Sequence, residues 1–127
     1  MTRSRQGFTL IELLIVVVII GILAAFAVAD IAHTKEKAYL TQMKADLHNL
    51  VTAEEAFFFD SSNYTTNFVS LNRYTPTTGV TVVVNEATPK GWSATASHLQ
   101  TPKKCYVFSG IATLIGTATL DGLISCS

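Results

Sequence analysis

Residues 8–29 read FTLIELLIVVVIIGILAAFAVA, apolar all round, with a single charge at Glu12. About 20 such residues cross roughly 30 Å of hydrocarbon as a helix rising about 1.5 Å per residue. The β-branched run 15–20 has strand propensity in water. In lipid a lone strand leaves its backbone groups unpaired, so the segment reads as a membrane helix. Past Asp30 the pattern becomes one-sided. Leu40, Met43, Leu47, Leu50 and Phe57 recur at spacings of three and four, with Glu54 in register between the last two. Val51 and Phe58 widen this stripe, while Lys35, Lys37, Lys44, Asp46 and Glu55 fall mostly off it. No Pro or Gly interrupts residues 22–60, so one continuous helix is expected over residues 8–60, about 80 Å long. A small domain cannot bury that length, so half of it needs another solvent or another subunit.

Ser61, Ser62 and Asn63 end the helical pattern. Residues 61–79 are polar with scattered aromatics and read as a loop with one short helical turn over 68–71. Gly79 opens a β-branched run at 80–84, and a turn follows around Pro89, Lys90 and Gly91. Residues 92–97 alternate in character, and Pro102, Lys103 and Lys104 lead into a run at 105–109. Three short runs separated by turn residues predict an antiparallel meander. Residues 111–127, rich in Thr, Gly and Leu, fit either a fourth strand or an irregular loop. The expected class is α+β, a long amino-terminal helix whose amphipathic half packs on a small antiparallel sheet.

Composition changes the picture in one respect. The 127 residues and 13.7 kDa suit one domain. Yet 49% are hydrophobic and mean hydropathy is +0.37, high for a soluble domain. The excess lies in residues 8–28, which makes the class one membrane segment plus a small soluble head. With a formal charge of +0, nothing suggests a general nucleic-acid binder. Arg3 and Arg5 precede the apolar run with no acid among them, which keeps the amino terminus in the cytoplasm. The chain therefore divides into 1–7, 8–30, 31–60 and 61–127.

The junction Gly7-Phe8-Thr9-Leu10-Ile11-Glu12-Leu13 carries the most specific signal. An ordinary signal peptide is cut after its apolar stretch. Here Ala24, Ala25 and Ala27 lie inside a continuous helical pattern, and no small-residue cleavage site follows in a loop. The heptad resembles the signature of type IV pilins and type II secretion pseudopilins. The resemblance implies a leader at 1–7, cut by a prepilin peptidase after Gly7, and N-methylation of Phe8. Without the leader, seven basic residues face nine acids. It also implies the pilin fold and an assembly role for Glu12 and Thr9.

Glu12 needs a physical reason. An acid inside a span costs up to about 3 kcal/mol, less near an end. A cut at Gly7 frees an amine on Phe8 one helical turn away, and methylation leaves it basic. Glu12 is expected to pair with the Phe8 amine of a neighbouring subunit; pairing within the chain is the competitor. Gly21 weakens the span by about 1 kcal/mol relative to Ala and permits close helix packing or local unwinding. Many type IV pilins carry a proline eight residues after this glycine, and the helix between melts on assembly. Ala29 stands there instead, so a straighter helix is expected.

Phe57, Phe58 and Phe59 cannot all face one side, because neighbours are about 100° apart. At least one is expected to point toward a neighbouring subunit or the loop above. Packing explains these aromatics better than electron transfer does. In type IV pilins a C-terminal disulfide bounds an exposed loop, and Cys105 and Cys126 would do so here if the head is exported. Two buried thiols are the alternative. Asn63, Tyr64 and Thr65 fit a glycosylation pattern common by chance. His33, His48 and His98 lack metal-ligand spacing, and Asp121 lacks the partners of a calcium loop. No metal site, cofactor or catalytic set is read.

The expected function is a structural subunit of a type IV pilus, its helix building a helical homopolymer for adhesion, motility or DNA uptake. The precursor would sit in the inner membrane with its head in the periplasm, then move to an extracellular filament. Implied partners are the prepilin peptidase, an assembly ATPase and an inner-membrane platform. Rivals are a minor pilin, a type II secretion pseudopilin, or a membrane-anchored module whose head binds a ligand or DNA. The head carries Arg73, Lys90, Lys103 and Lys104 against Glu86 and Asp121, too weakly basic to favour nucleic acid as a main partner.

Overall fold

The computed structural model describes residues 7–72 and 74–127. Arg3 and Arg5 of the expected leader, and Arg73 of the head's charge count, lie outside the described residues. The chain forms two compact units, Met1–Lys35 and Glu36–Ser127. Helix α1 spans Leu10–Ser61, as the lack of breakers predicts, and its helical assignment runs through Gly21 and Ala29. It stops where three small polar residues follow. Ser61 Oγ donates to the Phe57 carbonyl at 2.8 Å, and the Ser62 N–H donates to the Phe58 carbonyl at 2.8 Å. Ser62 takes φ 55°, the left-handed turn that ends many helices.

The second unit adds four strands, β1 Val80–Thr88, β2 Gly91–His98, β3 Thr101–Gly110 and β4 Ser125–Cys126. They pair antiparallel in the order β1-β2-β3-β4. The first three extend the three runs expected from sequence. Thr88 pairs with Gly91 across the two-residue turn Pro89 and Lys90, and Asn85 bulges from β1 between Val84 and Glu86. The open question at residues 111–127 resolves as both alternatives. Most of the segment is irregular, and its end forms β4, paired Cys105 to Cys126 and Tyr106 to Ser125.

The core lies between α1 and the sheet. Met43, Leu47 and Leu50 are fully buried, with Leu40, Val51 and Phe57 at the margin. Facing them are Val80, Val82, Val84, Trp92, Ala94, Ala96, Cys105 and Val107, alternate positions on three strands. Ala94 and Ala96 are short, which lets the helix approach the middle of the sheet. Each buried Leu or Met contributes roughly 2 kcal/mol. Tyr39 stacks on His98 at 4.3 Å, and Lys103 pairs with Glu36 at 2.9 Å. Both contacts tie the β2–β3 turn to the helix. The C-terminal loop covers part of the other face. There Gly116, at φ 55°, sits where a Cβ would run into the Tyr106 ring.

Asp46, read as lying mostly off the apolar stripe, is nonetheless only 3% exposed. The loop after α1 folds over that flank of the helix. Thr77 donates to Asp46 through its N–H and its hydroxyl, each at 2.9 Å. Tyr74 OH donates to the Asp46 carbonyl at 3.2 Å. Burial and the nearby Asp46 charge push the Tyr74 hydroxyl well above its ordinary value. Glu54, in register with the stripe, is fully buried. Phe58 stacks on Tyr64 of the loop at 4.6 Å, and Phe59 points outward, 89% exposed.

Two predictions rest on this unit. Asp46→Ala removes both side-chain acceptors of Thr77 and should lower stability by about 2 kcal/mol, read by urea unfolding in detergent through the fluorescence of the single tryptophan, Trp92. Cys105 and Cys126 are bonded across a separation of 21 residues. Reduction should cost about 3 kcal/mol, and intact mass under non-reducing conditions should lack the two thiol hydrogens.

Candidate functional site

Among the described residues, the first unit buries none of its large apolar side chains. Phe8 is 79% exposed, Leu10 84% and Phe26 73%, and the same holds along the intervening aliphatics. Leu10, Leu13, Leu14 and Val17 line a shallow apolar depression. Gly21 has open space around it, with nothing within 4 Å of where a Cβ would stand. No contact inside the chain therefore requires a glycine there.

At the start of this helix the structure brings Thr9 and Glu12 together. Thr9 precedes the first helical residue, Leu10, and Glu12 is third in the helix. The Glu12 N–H donates to Thr9 Oγ1 at 3.3 Å. Glu12 Oε2 in turn accepts from the Thr9 N–H at 2.8 Å and from the Thr9 hydroxyl at 2.7 Å. This reciprocal arrangement is a capping box. It satisfies backbone donors that the first turn otherwise leaves open, and it places a carboxylate at the positive end of the helix dipole. Oε1 takes no hydrogen bond from the described residues, and the residue is exposed. The motif is legible as T-x-x-E ahead of an apolar run, a signal the sequence reading left unused when it weighed only the Phe8 amine, of a neighbour or of the same chain, as a partner for Glu12.

The other residues singled out from sequence lie apart from chemistry. Cys105 and Cys126 join β3 to β4. His98 accepts the Gln100 N–H at its Nδ1, 3.1 Å away. Asp121 accepts the Gly110 N–H at 3.1 Å and so shapes the C-terminal loop. Glu86 accepts the Thr113 N–H at 3.0 Å, and that hydrogen bond holds its carboxyl below the usual carboxylate range. Among the described residues no group of three or more His, Cys, Asp or Glu is placed to hold a metal ion.

Comparison with known proteins bears on the same end of the chain. Residues 2–28 match the family described as the prokaryotic N-terminal methylation motif. The type IV wide pilus major component of Thermus thermophilus is 34% identical over 99 residues, 76% of this chain and 76% of that protein. The type IV major pilin protein of Myxococcus xanthus is 43% identical over 60 residues, 47% of this chain but 27% of that protein. The type II secretion system core protein G of Vibrio cholerae is 42% identical over 64 residues, 50% of this chain and 44% of that protein. With α1 ending at Ser61, a match of 99 residues reaches past the helix into the head. The motif, the helix-and-sheet fold and this extended match together show that the chain belongs to the type IV pilin family.

Proposed function

We propose that the chain is the major structural subunit of a type IV pilus, held in the inner membrane by residues 8–30 and then polymerised through the same helix. The observation that carries this reading is the bare apolar helix with an acid fixed at its start. Such a surface is tolerable in lipid, or inside a bundle of like helices, and nowhere else. Cleavage between Gly7 and Phe8 by the prepilin peptidase frees an amine beside the capping box. Methylation keeps that amine positive. Glu12 Oε1, open in the single chain, then accepts the Phe8 amine of a neighbouring subunit. At about 4 Å and an effective dielectric of about 20, such a pair attracts by about 4 kcal/mol. That offsets the cost of holding an acid near the end of an apolar span.

Gly21 fits the same reading, since its open flank suits the close approach of a second helix. The head, on the periplasmic side before assembly, becomes the filament's outer surface, with the disulfide closing its C-terminal loop. The assembly ATPase and the inner-membrane platform supply the work of polymerisation. We read no catalytic role. A pseudopilin is the second reading, on the strength of the matches to protein G. The longer pilin match favours the pilus.

In a deletion strain, surface filaments should vanish and return with the wild-type gene. Glu12→Gln should be processed normally, with Phe8 as amino terminus by mass spectrometry, yet yield at least tenfold fewer filaments. Normal filaments from a normally processed Glu12→Gln chain would sink the pairing. Thr9→Val removes the cap hydroxyl, worth about 1 kcal/mol. It should reduce filament yield less than Glu12→Gln does, as counted by electron microscopy of sheared fractions.

A further inference from the structure

Two consecutive carboxyl groups near the end of α1 meet the loop that follows it. Glu55 accepts the Tyr64 hydroxyl at 3.0 Å near the surface. Glu54 is fully buried. Its Oε2 accepts the Thr65 N–H at 3.1 Å, and its Oε1, also buried, has no hydrogen-bond partner among the described residues. Tyr64 is held between the two layers. Its ring stacks on Phe58 of the helix at 4.6 Å and lies 6.3 Å from Trp92 of β2. The segment after the helix is thus fastened through the very pair of residues that the two carboxyl groups grip.

Among the described residues, those that Glu54 and Tyr64 meet carry no compensating charge. The helix of Glu54 offers Glu55, and the loop offers Tyr64 and the Thr65 amide. Asp121, from the C-terminal loop, is near enough for its charge to act on Tyr64. Beside Tyr64 the sheet places Trp92, which does not titrate and whose buried indole N–H has no hydrogen-bond partner among the described residues. Every titratable group here is an acid, so no cation among these residues can neutralise an ionised Glu54. A buried carboxylate keeps its charge when several donors surround it. One backbone N–H does not suffice, whereas the protonated carboxyl leaves only an unpaired polar atom.

We propose that Glu54 is a proton-operated latch: with its proton it holds Thr65 and Tyr64 against α1 and β2, and on losing it the carboxylate draws in water and lets the loop lift. Burial above all, opposed by the Thr65 N–H and helped slightly by the Glu55 charge, raises the Glu54 carboxyl from 4.5 to about 7. Burial and the hydrogen bond to Glu55 likewise push Tyr64 up to about 12, so it stays neutral throughout. The direction follows from linkage. The closed form binds the proton more tightly than the open form, whose carboxyl titrates at its ordinary value. Closure is therefore strongest below about pH 4.5, weakens as pH rises toward about 7, and changes no further above that. Within the window the opening constant rises about tenfold per pH unit, on the order of 100-fold in all. Phe59 and Val69, exposed at 89% and 91%, flank the latch in sequence.

Hydrogen exchange of the full chain in detergent micelles, corrected for intrinsic exchange and followed from about pH 4.5 to 7.5, tests this. The Thr65 amide and its neighbours should lose protection on the order of 100-fold across the range, while the amides of β2 stay unchanged. Glu54→Gln should hold the loop closed at every pH. A flat wild-type profile, or the same rise in Glu54→Gln, overturns the proposal. Should that variant fail to fold, isotope-edited infrared spectroscopy of wild-type Glu54 decides. A carboxyl midpoint above about 5.5 supports the latch, and one at or below about 5.5 overturns it.

Discussion

Sixteen large apolar side chains from Phe8 to Ile31 stand exposed on the first unit, and this unmet demand for burial governs the rest of the molecule. At roughly 1–2 kcal/mol for each side chain taken from water, the demand is on the order of 20 kcal/mol. No folding event within a chain of this size could supply it, because the remaining residues are already committed to a core of their own. The demand must be met by lipid or by other helices. Both are apolar, so neither is preferred on hydrophobic grounds alone. What separates them is polar chemistry at the start of the helix. On the pairing proposed above, a neighbouring helix would offer Glu12 a positive partner in its cleaved Phe8 amine, and lipid would not.

The head solves a different problem with the same helix. From Glu36 onward one stripe of α1 serves as half of a two-layer core, and the sheet accommodates it by placing alanines at positions 94 and 96. The loop after the helix is then fixed by polar contacts on flanks that the stripe leaves uncovered. Asp46 takes Thr77, and Glu54 and Glu55 take Thr65 and Tyr64. The disulfide performs the same service at the other edge, where β4 contributes only Ser125 and Cys126. Two residues of pairing would not hold that segment in place without it.

Legibility in the sequence followed from how local each constraint is. The helix and the three long strands are written in periodicity and turn residues, and they appear where those signals place them. The cleavage-site heptad is equally local, and so was the capping box, overlooked because an acid in an apolar run invites an intermolecular explanation first. The burial of Asp46 was missed for a different reason. Its burial depends on Thr77, 31 residues away, and helical periodicity reports only which side faces the sheet. It says nothing about a loop that returns over a flank. The segment 111–127 was ambiguous because its shape is imposed from outside, by the bond to Cys105, by Glu86 at Thr113 and by Asp121 at Gly110.

Three acids, two buried in the head and one exposed at the start of the helix, differ in the donors that each meets. Glu12 meets the Thr9 N–H and hydroxyl, and the helix dipole adds to both, so the carboxylate is held in place while one oxygen remains open to a partner. Asp46 meets an N–H and a hydroxyl, one on each oxygen, and serves as a fixed strut. Glu54 accepts a single N–H on one oxygen, and the other has no hydrogen-bond partner among the described residues; in the latch proposed above, a proton completes it. The same functional group thus acts as connector, strut and titrating site within one small chain. The difference lies in which backbone and hydroxyl donors the surrounding loops bring within reach, which is why side-chain identity alone does not assign the roles.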